Sequence, residues 1–97
     1  MTMLNYQAFA GRSGEIFDLS MGVGDMELTL TEVAFLPARP YAGMLREPFS
    51  LVFRSASPVV LPQRIYRLTN AALGALDIFL VPVGRDNRGA VYQAVFN

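Results

Sequence analysis

A chain of 97 residues, 53% hydrophobic and 16% charged, is long enough to bury one core and too apolar to remain disordered. Its eight acidic and eight basic residues cancel, which leaves no net field for nucleic acid, an acidic substrate or an anionic membrane surface. Histidine and cysteine are absent and every basic residue is an arginine, so disulfides, thiolate chemistry, a Ser-His-Asp triad, a Cys-His pair, a Ser-Lys dyad and zinc held by nitrogen and sulfur are excluded.

Taken in chain order, Met1 to Ala10 has no basic start and no long apolar run, and no window reaches the ~18 apolar residues of a membrane helix. A cytoplasmic location is the default expectation. Thr2 is placed to cap a short helix running to about Phe9, with Gly11 as its stop. From Glu15 the pattern changes to period two, with Phe17, Leu19 and Met21 on one face and Asp18 and Ser20 on the other, which predicts a half-buried strand. Gly22 and Gly24 mark a turn. Met26, Leu28 and Leu30 alternate with Glu27 and Thr29, and the apolar phase then slips to Val33 and Phe35, which predicts a β-bulge or bend near Glu32.

Pro37, Pro40, Gly43 and Pro48 deny both helix and ladder donors, so Leu36 to Pro48 reads as a long surface loop, the most mobile internal segment expected of this chain. Phe49, Leu51 and Phe53 alternate with Ser50, Val52 and Arg54 as a third strand, and Ser55 to Gln63, with Pro58 and Pro62, is a connection. Tyr66 and Leu68 against Arg67 predict a fourth strand. Asn70 can cap one helical turn, Ala71 to Leu73, that Gly74 ends. Two last strands, about Leu76 to Val83 and Ala90 to Phe96, flank the turn-rich segment Gly84 to Gly89. Residues 1–97 thus read as a single, mainly β domain: an antiparallel six-stranded small barrel or sandwich, with at most a short N-terminal helix and one helical turn.

A tight turn in that last hairpin pairs odd-numbered residues with even-numbered ones. One face would carry Phe79, Val81 and Val83 with Tyr92, Ala94 and Phe96, and the other Ile78, Leu80 and Pro82 with Val91, Gln93 and Val95. Apart from Gln93 neither face is polar, so both should be covered, one by the core and the other by the N-terminal segment or another chain. Ile78, Leu80, Val91 and Val95 are therefore the candidate interface of a homo-oligomer or larger assembly. Arg39, Tyr41 and Arg46 form a candidate contact loop, tyrosine being enriched at interface hot spots.

Motifs for chemistry are weak. Asp25 and Glu27 share a strand face, as a carboxylate pair must, but nothing in the sequence supplies the cleft such a pair needs. Gly22-Val23-Gly24 fails as a dinucleotide fingerprint, because Glu27 stands at the third glycine position and a strand follows. Asp86-Asn87-Arg88-Gly89 lacks the spaced oxygen ligands of a calcium loop. No catalytic, cofactor or metal residue is assigned.

The segments Phe49-Ser50-Leu51-Val52-Phe53, Leu61-Pro62-Gln63-Arg64-Ile65-Tyr66-Arg67-Leu68, Leu73-Gly74, Phe79-Leu80-Val81-Pro82-Val83-Gly84 and Tyr92-Gln93-Ala94-Val95-Phe96-Asn97 resemble a family of small bacterial proteins catalogued only as a domain of unknown function. Gly14-Glu15-Ile16-Phe17 and Leu28-Thr29-Leu30-Thr31-Glu32-Val33 extend the likeness to nearly the whole chain. Where members of that family often carry a histidine after the Tyr-x-Leu strand, this chain has Asn70, which weakens the case for a shared histidine-based activity. The resemblance implies neighbourhood with small proteins similar to phage-tail collar components, and hence a place in a tail-like assembly.

The expected function is a non-catalytic protein-interaction or assembly module, with a protein partner or a second copy and no nucleic acid, membrane, metal or cofactor. The alternative is a small-molecule-binding barrel whose cavity Phe17, Phe53, Tyr66 and Phe79 would line. A carboxylate-dependent hydrolase ranks last.

Overall fold

A computed structural model describes residues 5–37 and 48–96. Six strands follow a short helix: α1 (Tyr6–Phe9), β1 (Ile16–Ser20), β2 (Asp25–Phe35), β3 (Phe49–Ser55), β4 (Arg64–Asn70), β5 (Gly74–Asp86) and β6 (Gly89–Phe96). They close into an antiparallel barrel in the order β1-β2-β3-β6-β5-β4, which settles the choice between barrel and sandwich. Each strand sends alternate side chains inward, and the interior is filled by apolar residues from every strand, among them Phe17, Leu28, Phe53, Leu68, Leu80 and Tyr92. None of the described helices is long and apolar enough to cross a membrane.

Both ends of the barrel are stoppered by segments outside the strands. At one end α1 inserts Phe9, whose ring lies 5.9–6.4 Å from those of Phe17, Phe49 and Phe96. Its cap is Asn5, whose side chain accepts the Ala8 N–H at 3.1 Å; the expected cap, Thr2, lies outside the described residues. At the other end the β3–β4 connection buries Leu61, and its N–H donates to the Tyr92 hydroxyl at 3.0 Å. An inward tyrosine of this kind needs a polar partner at its tip, and the loop supplies it.

Two bulges set which residues face in. In β2 the register jumps between Leu30↔Phe53 and Glu32↔Val52. The extra residue, Thr31, donates its hydroxyl to the Val52 carbonyl at 3.1 Å. This is the slip the sequence predicts. The second bulge corrects the expected faces of the C-terminal hairpin. Its turn pairs Asp86 with Gly89 and Gly84 with Val91, but the next pair is Pro82↔Tyr92, followed by Val81↔Gln93. Val83 is the extra residue, so even-numbered positions oppose even ones beyond it. Ile78 and Leu80, expected outside, are 1% and 0% exposed and share the interior with Tyr92 and Ala94. Phe79, expected inside, is 49% exposed.

Smaller differences are local. β1 ends at Ser20, so Met21 stays half-exposed instead of joining Phe17 and Leu19 in the core. The expected turn after Asn70 closes the β4–β5 hairpin: its Oδ1 accepts the N–H groups of Ala72 and Leu73, both at 2.9 Å, and Gly74 takes the positive φ, 75°, that ends it. Asn70 is itself buried and donates to Glu15 Oε1 and the Ile16 carbonyl, both at 3.1 Å, tying that hairpin to the start of β1.

Candidate functional site

Among the described strand residues, four of the six exposed large hydrophobics, Ile65, Phe79, Val83 and Val95, lie on β4, β5 and β6. Ile65 and Phe79 are direct cross-strand partners, exposed at 64% and 49%. Val95, 48% exposed, lies on β6 two residues beyond Gln93, where the β5–β6 register ends at Val81↔Gln93. From Val95 the register leads to Ser50 on β3, which is buried, and to Ala34 on β2.

Neutralised pairs border this surface. Arg67 makes two hydrogen bonds to its cross-strand partner Asp77, at 2.8 and 3.3 Å. Farther along, Arg54 forks onto Asp86 at 3.0 and 3.1 Å across β6. These hydrogen bonds hold both carboxyls below the usual carboxylate range and both guanidiniums above their ordinary value; at Asp86 the Arg88 N–H contributes as well. All four groups are in contact with water, so salt screens them and they set charge pattern more than stability.

Of the four interface residues expected from sequence, two share this surface: Val95, and Val91, half-buried beside Arg54. Ile78 and Leu80 are core. Ile65 and Phe79 are not among those four; for Phe79 the sequence signal is Pro82, since proline within a strand marks an edge or a bulge, whereas Ile65, flanked by Arg64 and Tyr66, offers none. Arg39, Tyr41 and Arg46, and most of the loop expected to be mobile, lie outside the described residues.

The carboxylates Asp25 and Glu27 point outward from β2, paired in register with Ser20 and Asp18. The described residues contain no cluster of three or more acidic side chains able to hold a metal. Asp86 and Gly89 form the plain hairpin turn expected, with the Arg88 N–H donating to Asp86 Oδ1 at 2.8 Å. Of the side chains expected to line a cavity, Phe17, Phe53 and Tyr66 fill the barrel, Phe17 and Phe53 meeting edge to face at 5.3 Å. Phe79 faces outward.

A second surface feature is a shallow groove of about 260 Å³ where β1 and β4 meet, lined by Met21, Leu61, Arg64, Ile65, Tyr66 and Arg67 among others. Burial raises the pKa of the Tyr66 hydroxyl, with Arg64 opposing. That hydroxyl donates to the Pro62 carbonyl, and the Arg64 guanidinium stands 5.8 Å from the ring centroid.

Comparison with known proteins adds one match. The profile of a family described as "Domain of unknown function (DUF6916)" matches residues 4–96. No curated protein and no solved structure matches the chain.

Proposed function

The chain belongs to the family described as Domain of unknown function (DUF6916), and from that premise we propose that it is a non-catalytic assembly module that associates with a second copy through the outward face of β4, β5 and β6. The observation that carries this reading is the cross-strand pair Ile65 and Phe79, with Val95 on the outward side of β6, each about half-exposed or more. Scattered surface hydrophobes are ordinary, whereas an apolar patch on a sheet marks a contact surface. A second copy suits it because eight acidic and eight basic residues leave no net repulsion between copies. An isologous contact sets the same apolar strip and the same Arg67–Asp77 border on both sides.

The absence of His, Cys and Lys supports a non-catalytic role. A tail-like assembly as the setting is part of the proposal and rests on the family resemblance alone. A small-molecule-binding barrel has less support, since Phe17, Phe53 and Tyr66 occupy the space a ligand would need. Light scattering after size exclusion tests the reading with Phe79→Glu and Val95→Glu combined. The expected result is an oligomeric wild type and a monomeric variant with its β spectrum retained; a wild type already monomeric at high concentration contradicts it.

A further inference from the structure

The two edges of β4 are used unequally. All seven of its residues pair with β5, from Arg64↔Leu80 to Asn70↔Gly74. Toward β1 the register contains only Leu19↔Leu68 and Asp18↔Thr69. Extending it would set Ser20 against Arg67 and Met21 against Tyr66. Instead β1 ends at Ser20, and the Met21 N–H turns back to the Gly24 carbonyl at 2.8 Å. The barrel seam therefore opens alongside Arg64 to Arg67, and the groove of about 260 Å³ lies in that opening.

Successive residues of a strand direct their backbone N–H and C=O groups to alternate sides. Two of the four residues from Arg64 to Arg67 must then direct theirs toward the β1 side, and the β1–β4 register, which stops at Leu19↔Leu68, pairs none of them. A free edge of this kind is a template for another strand. Four residues of strand span roughly 13 Å, which suits a short extended segment. Charge narrows the occupant further. Among the described residues the groove is lined by two arginines and no carboxylate. Arg67 is engaged by Asp77, while Arg64 makes no ion pair among the described residues and rests over the Tyr66 ring. The groove thus holds one uncompensated positive charge beside apolar Met21, Leu61 and Ile65.

We propose that the open β1–β4 seam is a strand-addition site for an extended acidic segment of a partner protein, whose backbone pairs with the free edge of β4 and whose carboxylate meets Arg64. This goes beyond self-association, because the occupant is a different protein and it engages the backbone edge of β4, although Ile65 and Arg67 border both surfaces. The test is selection of random linear peptides displayed on yeast against the full chain. The best binder is then made as a synthetic peptide and examined by titration and by amide hydrogen exchange. Enriched peptides should carry Asp or Glu, and the bound peptide should slow exchange at residues 64–67. Arg64→Glu should weaken binding roughly tenfold or more, with Arg64→Lys retaining most of it. No enrichment over bare support, enriched peptides without an acidic residue, protection elsewhere, or affinity indifferent to Arg64→Glu would each overturn the proposal. In the Phe79→Glu and Val95→Glu background, protection of residues 64–67 that grows with protein concentration in the absence of peptide would assign the seam to a second copy and overturn it as well. Light scattering reads self-association separately, so a monomeric chain that binds peptide at the seam contradicts only the assembly reading.

Discussion

Truncating Leu80 and Phe79 separately to alanine discriminates between the inner and outer faces of β5, neighbours in sequence that the bulge at Val83 assigns to opposite sides. Leu80 is fully buried against the interior of the barrel, whereas Phe79 is 49% exposed. Leucine-to-alanine changes in a packed core cost about 2–5 kcal/mol through lost transfer energy plus the cavity left behind. Taking ~3 kcal/mol for Leu80, a chain of this size should lose roughly 12–24 °C of thermal midpoint. Phe79 surrenders only the buried half of its ring and its cross-strand contact with Ile65, a cost of about 1 kcal/mol. The assay is urea unfolding followed by circular dichroism at several protein concentrations, because association adds stability by mass action and would inflate the Phe79 effect in concentrated samples. In dilute samples Leu80→Ala should shift the midpoint severalfold more than Phe79→Ala. Equal losses, or a larger loss at Phe79, would mean that the hairpin runs without its bulge and that the faces are reversed.

Gly89→Ala should destabilise by about 2 kcal/mol or more, because Gly89 sits at φ 129° with the Ser55 carbonyl where a Cβ would go. Gly74→Ala, at φ 75° in open space, should cost only about 1 kcal/mol in the same denaturation assay. Asn70→Asp replaces a donor with a carboxylate facing Glu15 and the Ile16 carbonyl; burial and that neighbour raise its folded pKa, so the deficit against wild type should be smallest below about pH 4 and grow as pH rises, as urea midpoints across pH will show. Asp77 and Asp86 have the opposite sign: their folded pKa values are lowered by Arg67 and Arg54, so their contribution is present above the unfolded value near ~3.9 and is lost as pH falls through the lowered folded values. Asp77→Asn with Asp86→Asn should flatten that acid limb in low salt. A chelator should leave the thermal midpoint unchanged, since His and Cys are absent.

The two bulges show what the sequence could reveal. At Thr31 the alternation is between apolar and polar residues, so an inserted residue visibly shifts the apolar phase from Leu30 to Val33. From Phe79 to Val83 every residue is apolar, and an insertion shifts nothing that can be seen. That is why the structure reverses the expected inner and outer faces of β5, Phe79 and two of the four expected interface residues among them, while β6 keeps the expected ones. Asn70 was legible as a cap because the Asn-to-Gly spacing is local. Its bonds to Glu15 and Ile16 join residues more than fifty apart in sequence, which no window reads. Closure of the barrel rests on two β1–β4 pairs, and alternation cannot choose that partner over another edge. Ile65, between Arg64 and Gln63 on one side and Tyr66 and Arg67 on the other, gave no apolar run to mark it as surface.

The most direct measurement of the central claim is whether the outer strip is covered in solution, read from the methyl signals of Ile65 and Val95 in the presence of a soluble paramagnetic probe. Self-association predicts strong attenuation of both signals in dilute protein and protection in concentrated protein, while the outward side chains of Asp25 and Glu27 stay accessible throughout. Methyl signals attenuated equally at every concentration would leave the strip bare and contradict the assembly reading.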